Sequence, residues 1–241
     1  MNILRIDKTP STNSLLKALS ARERLTEGTV LVASDQTLGR GQAGNFWESE
    51  PGKNLTFSML FYPTFLPIKA HFLLSKAISL AVKEVLDNYL DGITIKWPND
   101  IYYLDKKIAG ILIENELTQE ELSQSIAGIG LNVNQEVFRS KAPNPVSMKQ
   151  LLQVDLDRDC LLEEMVRGIS GRYSDLQAQR HEAIAARYQQ SLYRNAGYFP
   201  FSDRNGAFRA KIDFVEDNGA LVLTTDGGEQ RRYFFKEVAY E

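Results

Sequence analysis

The chain has 241 residues, a formal net charge of −3 and 43% hydrophobic residues, which is enough for one large domain with a small appendage. Lysine and arginine alternate with acidic residues and form no basic tract, which excludes general nucleic-acid binding. No segment approaches the ~20 apolar residues that span a bilayer, and the N-terminus lacks a signal-peptide pattern. We therefore expect a cytoplasmic protein with no membrane partner. Cys160, the one cysteine, lies among leucines, where we expect a buried apolar side chain.

Hydrophobic periodicity predicts alternating strands and helices through most of the chain. Strands are predicted over 3–7, 29–36, 54–62, 92–97, 107–114 and 123–134, and helices over 14–24, 70–89 and much of 148–193. Asp105 and Lys106 separate two apolar strands and predict a hairpin turn. The pattern is that of an α+β fold with a mixed β-sheet and helices.

The last 45 or so residues differ from the rest. Gly197 and Pro200 end the helical pattern, and the segments 217–219 and 226–228 are strong hairpin turns between short strands. This predicts a small β-barrel, and hence two domains, 1–195 and 196–241.

The segment 39–47 reads Gly-Arg-Gly-Gln-Ala-Gly-Asn-Phe-Trp. Glycine allows the backbone to bend sharply and to approach a ligand, and arginine carries a permanent charge on a planar set of donors. These residues favour a mobile loop that closes over an anion, with Trp47 as an apolar wall. On this segment alone, an ordinary surface loop is an equally good interpretation.

Several further short motifs follow one another along the chain. They are Ser11-Thr12-Asn13, then Gln36 before the glycine loop, then Lys96-Trp97-Pro98-Asn99-Asp100, then Lys107-Ile108-Ala109-Gly110-Ile111-Leu112-Ile113-Glu114, and finally Gly128-Ile129-Gly130-Leu131-Asn132. With the loop, this series resembles the biotin protein ligases over most of residues 1 to 135. The resemblance implies a catalytic domain like that of class II synthetases, followed by an SH3-like C-terminal domain. Many members carry a DNA-binding domain before the Ser-Thr-Asn motif; only ten residues precede Ser11 here, so we expect the short form without repressor function.

The reaction that the resemblance implies has two steps. The biotin carboxylate attacks the α-phosphate of ATP to give biotinyl-5′-AMP, and a lysine of a biotin carboxyl carrier protein domain of a carboxylase then displaces AMP. The first step joins two anions and needs fixed positive charge. Lys96 and Arg40 are the expected catalytic cations. Lys96 lies at the end of a strand that Pro98 terminates, and without the resemblance a solvated strand lysine would be the better interpretation.

The same resemblance assigns the remaining contacts. Biotin is expected to contact Ser11, Thr12, Asn13, Gln36, Gly39, Arg40, Gly110, Gly128 and Gly130. The nucleotide is expected to contact Gly41, Gln42, Asn45, Trp47, Lys96, Lys107 and Asn132. Helix N-capping is an alternative role for Ser11 or Thr12, and tight strand packing is an alternative role for the strand glycines. ATP use implies Mg²⁺, and because the sequence shows no carboxylate cluster, we expect the ion to bind through the phosphates.

The chain departs from the family pattern within the loop. Gln42 stands where the family usually has a second arginine, and Asn45 stands where some members have arginine. Other members have asparagine at the position of Asn45, as here. Because Gln42 can donate hydrogen bonds but carries no charge, we expect the adenylate to be held less tightly than in relatives with arginine. Two alternative functions stay open: a lipoate-type ligase, and a non-catalytic protein that binds biotin or its adenylate. Asp100 and Glu114 are unassigned candidates for a base in the transfer step, and no surface pattern demands an oligomer.

Overall fold

The computed structural model describes residues 2–118, 121–140 and 144–241, and the side chain of Ala43 lies outside this description. The helices are α1 (Thr12–Arg22), α2 (Phe72–Leu86), α3 (Met148–Leu152), α4 (Arg158–Gln177) and α5 (His181–Gln190). The strands are β1 (Ile3–Thr9), β2 (Val30–Gln36), β3 (Leu55–Phe61), β4 (Ile93–Lys96), β5 (Asp100–Tyr103), β6 (Lys106–Leu117), β7 (Leu122–Leu131), β8 (Phe199–Asp203), β9 (Gly206–Val215), β10 (Leu221–Thr225), β11 (Gln230–Tyr233) and β12 (Val238–Tyr240).

The first seven strands form one mixed sheet in the order β1-β2-β3-β7-β6-β5-β4. β1 and β2 run parallel, and the other neighbours are antiparallel. The last five strands form a second, antiparallel sheet in the order β11-β10-β9-β8-β12. The predicted α+β fold with a mixed sheet and a small C-terminal β-structure is therefore confirmed, whereas the division into domains at residue 195 stays a prediction.

The two faces of the large sheet are buried differently because side chains alternate along each strand. One face carries residues such as Phe57, Ile111 and Ile129, and it packs against α2 and α4 in the main hydrophobic core. α2 is apolar nearly all round, so it is buried along its length. The opposite face is covered in part by α1, where Leu16 and Leu31 belong to a smaller cluster.

The second sheet is fastened to the first through the β9–β10 hairpin. The buried Lys76 on α2 donates hydrogen bonds to the carbonyl of Val215 at 2.7 Å and to Asp217 Oδ1 at 2.8 Å. The indole Nε1 of Trp97 donates to the carbonyl of Gly219 at 2.9 Å. The segment after β4 is thus held directly by the second sheet.

Three sequence-based expectations need correction or refinement. β5 is a separate strand that the sequence did not reveal, and the helical pattern of 148–193 divides into three helices. Cys160 is exposed rather than buried, because it lies in the first turn of α4, where its amide bonds the capping side chain of Asp157. Among the described residues, no helix is long and apolar enough to cross a membrane.

Candidate active site

A cavity of about 320 Å³ opens between the glycine loop, strands β4–β6 and the second sheet. Eight of the predicted site residues line it: Gly41, Gln42, Asn45, Trp47, Lys96, Lys107, Gly110 and Gly128. They come from four segments, the glycine loop and strands β4, β6 and β7, so the fold brings them together. The cavity is also lined by Phe235, Ala239 and Tyr240 of the second sheet, which no sequence motif indicated.

A floor beneath the Trp47 indole is formed by two strand glycines directly opposite each other, Gly110 on β6 and Gly130 on β7. Gly110 lines the cavity, whereas Gly130 is covered by the indole and does not. The indole of Trp47 lies on both. A Cβ atom at Gly110 would lie 3.1 Å from Trp47 Cζ3, and one at Gly130 would lie 2.3 Å from Trp47 Cε2. Only glycine leaves room for the ring here. Within the described part of the chain, Trp47 Nε1 is buried against Gly130 without a hydrogen-bond partner.

Lys96 ends β4 because the chain turns immediately at Trp97 and Pro98. Its Nζ donates to the hydroxyl of Tyr102 at 3.2 Å. Burial lowers the pKa of the Lys96 amine, and the attraction of Asp100 opposes this shift. Desolvation makes the charged amine more costly and also strengthens its attraction for any anion that enters the cavity.

Lys107 lies beside the same floor but has a carboxylate partner. Its Nζ is 2.6 Å from Asp100 Oδ1 and 5.7 Å from the centre of the Trp47 ring. Asp100, which the sequence left without a role, therefore holds Lys107 in place. Lys106 is exposed, but it is the first residue of β6 and not a turn residue, since the hairpin turn lies at Leu104 and Asp105.

Four polar residues form a hydrogen-bonded cluster at the N-terminus of α1. Gln36 Oε1 accepts from the amide of Thr12 at 2.9 Å and from its hydroxyl at 3.1 Å. Ser58 Oγ lies 2.7 Å from Thr12 Oγ1 and 2.6 Å from Asn13 Oδ1. All four are buried. A Cβ atom at Gly128 would lie 2.3 Å from Asn13 Oδ1, so this glycine admits the asparagine side chain to the sheet.

Arg40 lies outside the residues that line the cavity. Its Nη2 is 2.8 Å from Glu114 Oε2, which also accepts from Asn13 Nδ2 at 2.9 Å. Strand pairing places Lys96 and Glu114 on the same face, with Glu114 four residues beyond Gly110 along β6. That offset is about 13 Å along the strand and about 10 Å across two strands. The two predicted catalytic cations therefore share a face but are not in contact, and a joint role stays a prediction.

The other predicted residues that do not line the cavity are Thr12, Asn13 and Gln36 of the polar cluster, Gly130, Ser11, Asn132 and Gly39. Ser11 caps α1, its hydroxyl accepting from the Ser14 amide at 3.4 Å. The buried Asn132 donates to the carbonyl of Val146 at 3.1 Å. Gly39 has no space for a side chain, because a Cβ atom would lie 2.4 Å from the Trp47 carbonyl oxygen. Their ligand contacts stay predictions.

Sequence reasoning missed Ser58 and the tyrosines around Lys96. Ser58 had a weak signal, since Thr56 and Ser58 alternate with the apolar Leu55, Phe57 and Met59 in β3. That pattern places small polar side chains on the face away from the main core.

The fold is that of a protein ligase family. Residues 5–132 match the model of the biotin/lipoate A/B protein ligase family, and the chain belongs to this family. It is 32% identical over 224 residues to the bifunctional ligase/repressor BirA of Escherichia coli, covering 90% of this chain and 67% of that protein. It is 32% identical to the biotin–[acetyl-CoA-carboxylase] ligase of Mycobacterium tuberculosis over 69% of this chain and 62% of that protein.

Among solved structures, the biotin protein ligase of Aquifex aeolicus in complex with biotin and ATP superposes with a TM-score of 0.81 at 25% identity. The match covers 100% of this chain and 98% of that one. Against the curated relatives, by contrast, the chain spans about two thirds of their length or less.

Proposed function

We propose that this protein is a biotin–protein ligase. It activates biotin as biotinyl-5′-AMP at the expense of ATP and transfers the biotinyl group to a lysine of a biotin carboxyl carrier protein domain of a carboxylase. The observation that carries the proposal is the cavity in which a half-buried lysine, a glycine floor and the Trp47 indole meet. The similarity to the A. aeolicus ligase with biotin and ATP supports the same conclusion.

In the first step, a carboxylate oxygen of biotin attacks the α-phosphorus of ATP, and the bond from that phosphorus to pyrophosphate breaks. Both reactants are anions, so their approach must be screened by positive charge. Lys96 supplies such a charge at the cavity wall, where low polarity makes it more effective than in water. Lys107 adds a second charge beside the floor.

In the second step, the neutral amine of the carrier lysine attacks the acyl carbon of the mixed anhydride and AMP leaves. The amine loses a proton, and a free lysine with a pKa of about 10.4 is about one part in a thousand neutral at pH 7. Asp100 lines the cavity and is paired with Lys107, and Glu114 is paired with Arg40. We assign neither as the base.

The glycine loop has two functions in this proposal. It carries Trp47 onto the floor, where the indole forms an apolar wall, and it carries Arg40 at its outer edge. Closure of such a loop over the adenylate would exclude water from the anhydride. Gln36, Thr12, Asn13 and Ser58 form a pre-arranged polar cluster for the ureido end of biotin.

Mg²⁺ enters this proposal as the ion that accompanies ATP. Among the described residues, no group of three or more acidic, histidine or cysteine side chains is arranged to hold a metal. The one carboxylate that lines the cavity, Asp100, is paired with Lys107. This donor set fits an ion that would be held by phosphate oxygens and water, because Asp100 is already paired with Lys107.

The test is transfer to a purified carrier domain. The protein is incubated with biotin, ATP and Mg²⁺, and intact-mass spectrometry follows the gain of one biotinyl group on the carrier. We expect modification that requires both ATP and the carrier lysine. Faster modification with lipoate in place of biotin would favour the lipoate-type alternative. Binding of biotin without adenylate formation or transfer would favour a non-catalytic binding protein.

A further inference from the structure

The ammonium group of Lys96 lies among three tyrosine rings. Its Nζ is 4.8 Å from the ring centre of Tyr102, 5.8 Å from that of Tyr193 and 5.0 Å from that of Tyr240. These rings come from β5, from the segment after α5 and from β12, so three distant parts of the chain meet at one amine. All three distances lie within the range in which an aromatic face attracts a cation.

Lys96 differs in this respect from the other two cations of the site. Arg40 is paired with Glu114 and Lys107 with Asp100, whereas no carboxylate among the described residues lies within ion-pair distance of Lys96. Its partners are neutral: the ring faces and the hydroxyl of Tyr102. A neutral aromatic face holds a cation without cancelling its charge, because the attraction comes from the ring quadrupole.

The three rings are themselves fixed. Tyr102 and Tyr193 have ring centres 5.3 Å apart, and Tyr193 and Tyr240 are 6.1 Å apart. The Tyr193 hydroxyl donates to Asp105 at 2.5 Å, and the Tyr240 ring packs against Phe201 of the second sheet at 5.0 Å. One ring of the cage, Tyr102, therefore belongs to the first sheet, and another, Tyr240, belongs to the second.

We propose that Tyr102, Tyr193 and Tyr240 form a neutral cage that positions the charged Lys96 at the cavity wall and leaves its charge to be balanced by an anionic oxygen of the substrate. They are positioning residues, since they act through Lys96. The identity of that substrate rests on the proposed function, but the cage itself does not. The second sheet thereby contributes to the chemistry of the site through one side chain, Tyr240.

Loss of one ring face at constant burial removes a stabilising contact from the charged amine, so the pKa of Lys96 falls. The titratable and charged groups facing it are Tyr102, Tyr193, Tyr240, Asp100, Asp105, Lys107 and Arg194. One cation–π contact corresponds to a shift of about half to one pH unit. A less firmly held lysine also reduces kcat for adenylate formation by about tenfold, with a smaller effect on KM.

The experiment compares Tyr240→Leu, which removes the aromatic face but stays apolar, with Tyr240→Phe, which keeps it. Tyr233→Leu is the matched control, since Tyr233 belongs to the same sheet and stacks on Phe208 at 6.0 Å. Competitive acetylation of the lysine amines, measured peptide by peptide by mass spectrometry, gives the pKa of Lys96 without any turnover. Biotin-dependent exchange of pyrophosphate into ATP gives kcat and KM as a function of pH.

We expect the Lys96 pKa and the alkaline limit of the exchange rate to move down together in Tyr240→Leu and to stay in place in Tyr240→Phe and Tyr233→Leu. Tyr102→Leu, on another element, must lower the pKa of Lys96 below its value in Tyr102→Phe, which keeps the test valid if Tyr240→Leu does not fold. An unchanged Lys96 pKa in a folded leucine variant, or equal losses in Tyr240→Leu and Tyr240→Phe, overturns the cage. If the unchanged protein performs no exchange but the leucine variants still lower the pKa of Lys96, the cage is supported and the ligase function is rejected.

Discussion

Gly130→Ala is expected to displace Trp47 from the floor of the cavity. The added Cβ would lie 2.3 Å from Cε2 and 2.6 Å from Nε1 of the indole, whereas ordinary contacts begin at 3.4 Å. The ring must therefore retreat by about 1.1 Å, the difference between the first and last of these distances. The backbone of β7 cannot yield instead, because Gly130 is paired with Thr56 on one side and Gly110 on the other.

A displacement of about 1 Å at a reacting site is enough to reduce a rate about a hundredfold. We expect a loss of that size in biotin-dependent pyrophosphate exchange. The cost in stability is smaller, about 1 kcal/mol, because the loop that carries Trp47 can move outward. For a chain of this length, that corresponds to a fall of about 2–4 °C in the midpoint of thermal unfolding.

Tryptophan fluorescence measures the displacement directly. The chain has two tryptophans, and Trp97 is only 4% exposed and far less affected by the change. A shift of the emission to longer wavelength in Gly130→Ala therefore reports Trp47. Gly110→Ala, whose Cβ would lie 3.1 Å from the ring, should give a smaller shift. Gly171→Ala is the control, since its Cβ would meet nothing within 4 Å on α4. An unchanged spectrum together with a normal exchange rate in Gly130→Ala would refute the reasoning.

Three other changes have expected outcomes. Lys96→Met should reduce adenylate formation at least a hundredfold, whereas Lys106→Met should leave it near normal, and equal rates would contradict the role of Lys96. Burial lowers the pKa of Lys96, and the charged amine is the active form. The rate of pyrophosphate exchange in the unchanged protein should therefore fall with rising pH below pH 10.5, the ordinary pKa of a lysine. Lys76→Met should lower the free energy of unfolding, measured in urea, by about 1–3 kcal/mol, since it removes the buried lysine's bonds to the β9–β10 hairpin. Lys83→Met removes only the pair with Asp87 within α2 and should lower it by less than about 1 kcal/mol. Gln42→Arg should slow release of biotinyl-5′-AMP about fivefold in a chase experiment, and an unchanged rate would contradict a contact there.

The sequence predicts those parts of the fold in which local pattern and tertiary burial agree. The alternation of apolar and polar residues predicted β3, and the long apolar pattern of residues 70–89 predicted α2. The breaks between α3, α4 and α5 were not predictable, because Gln153 and Gln179 take the left-handed conformation at φ of 60° and 58° without the glycine that usually indicates it. β5 was missed because Pro98 was interpreted as the end of sheet pairing, whereas it lies in a hairpin turn.

The candidate site divides in the same way. Residues within short motifs, such as Lys96, Gly110 and Trp47, were found through the family resemblance, because a short motif is visible in the sequence alone. The tyrosine cage was not found, since Tyr193 and Tyr240 are remote in sequence from Lys96 and belong to no motif. The position of Arg40 on Glu114 also required coordinates, because the choice of an ionic partner depends on which strand lies beneath the loop.

The ion pair between Arg40 and Glu114 holds the glycine loop only weakly. Its two side chains are 46% and 33% exposed, and such pairs contribute about 0.2–1 kcal/mol. An incoming anion therefore needs to outcompete only a modest attraction to capture the guanidinium. At physiological ionic strength, dissolved ions screen charges beyond about 8 Å, so raising the salt concentration weakens the resting position and long-range recruitment together. The salt concentration therefore determines how often Arg40 is free to leave the carboxylate of Glu114 and bind an incoming anion.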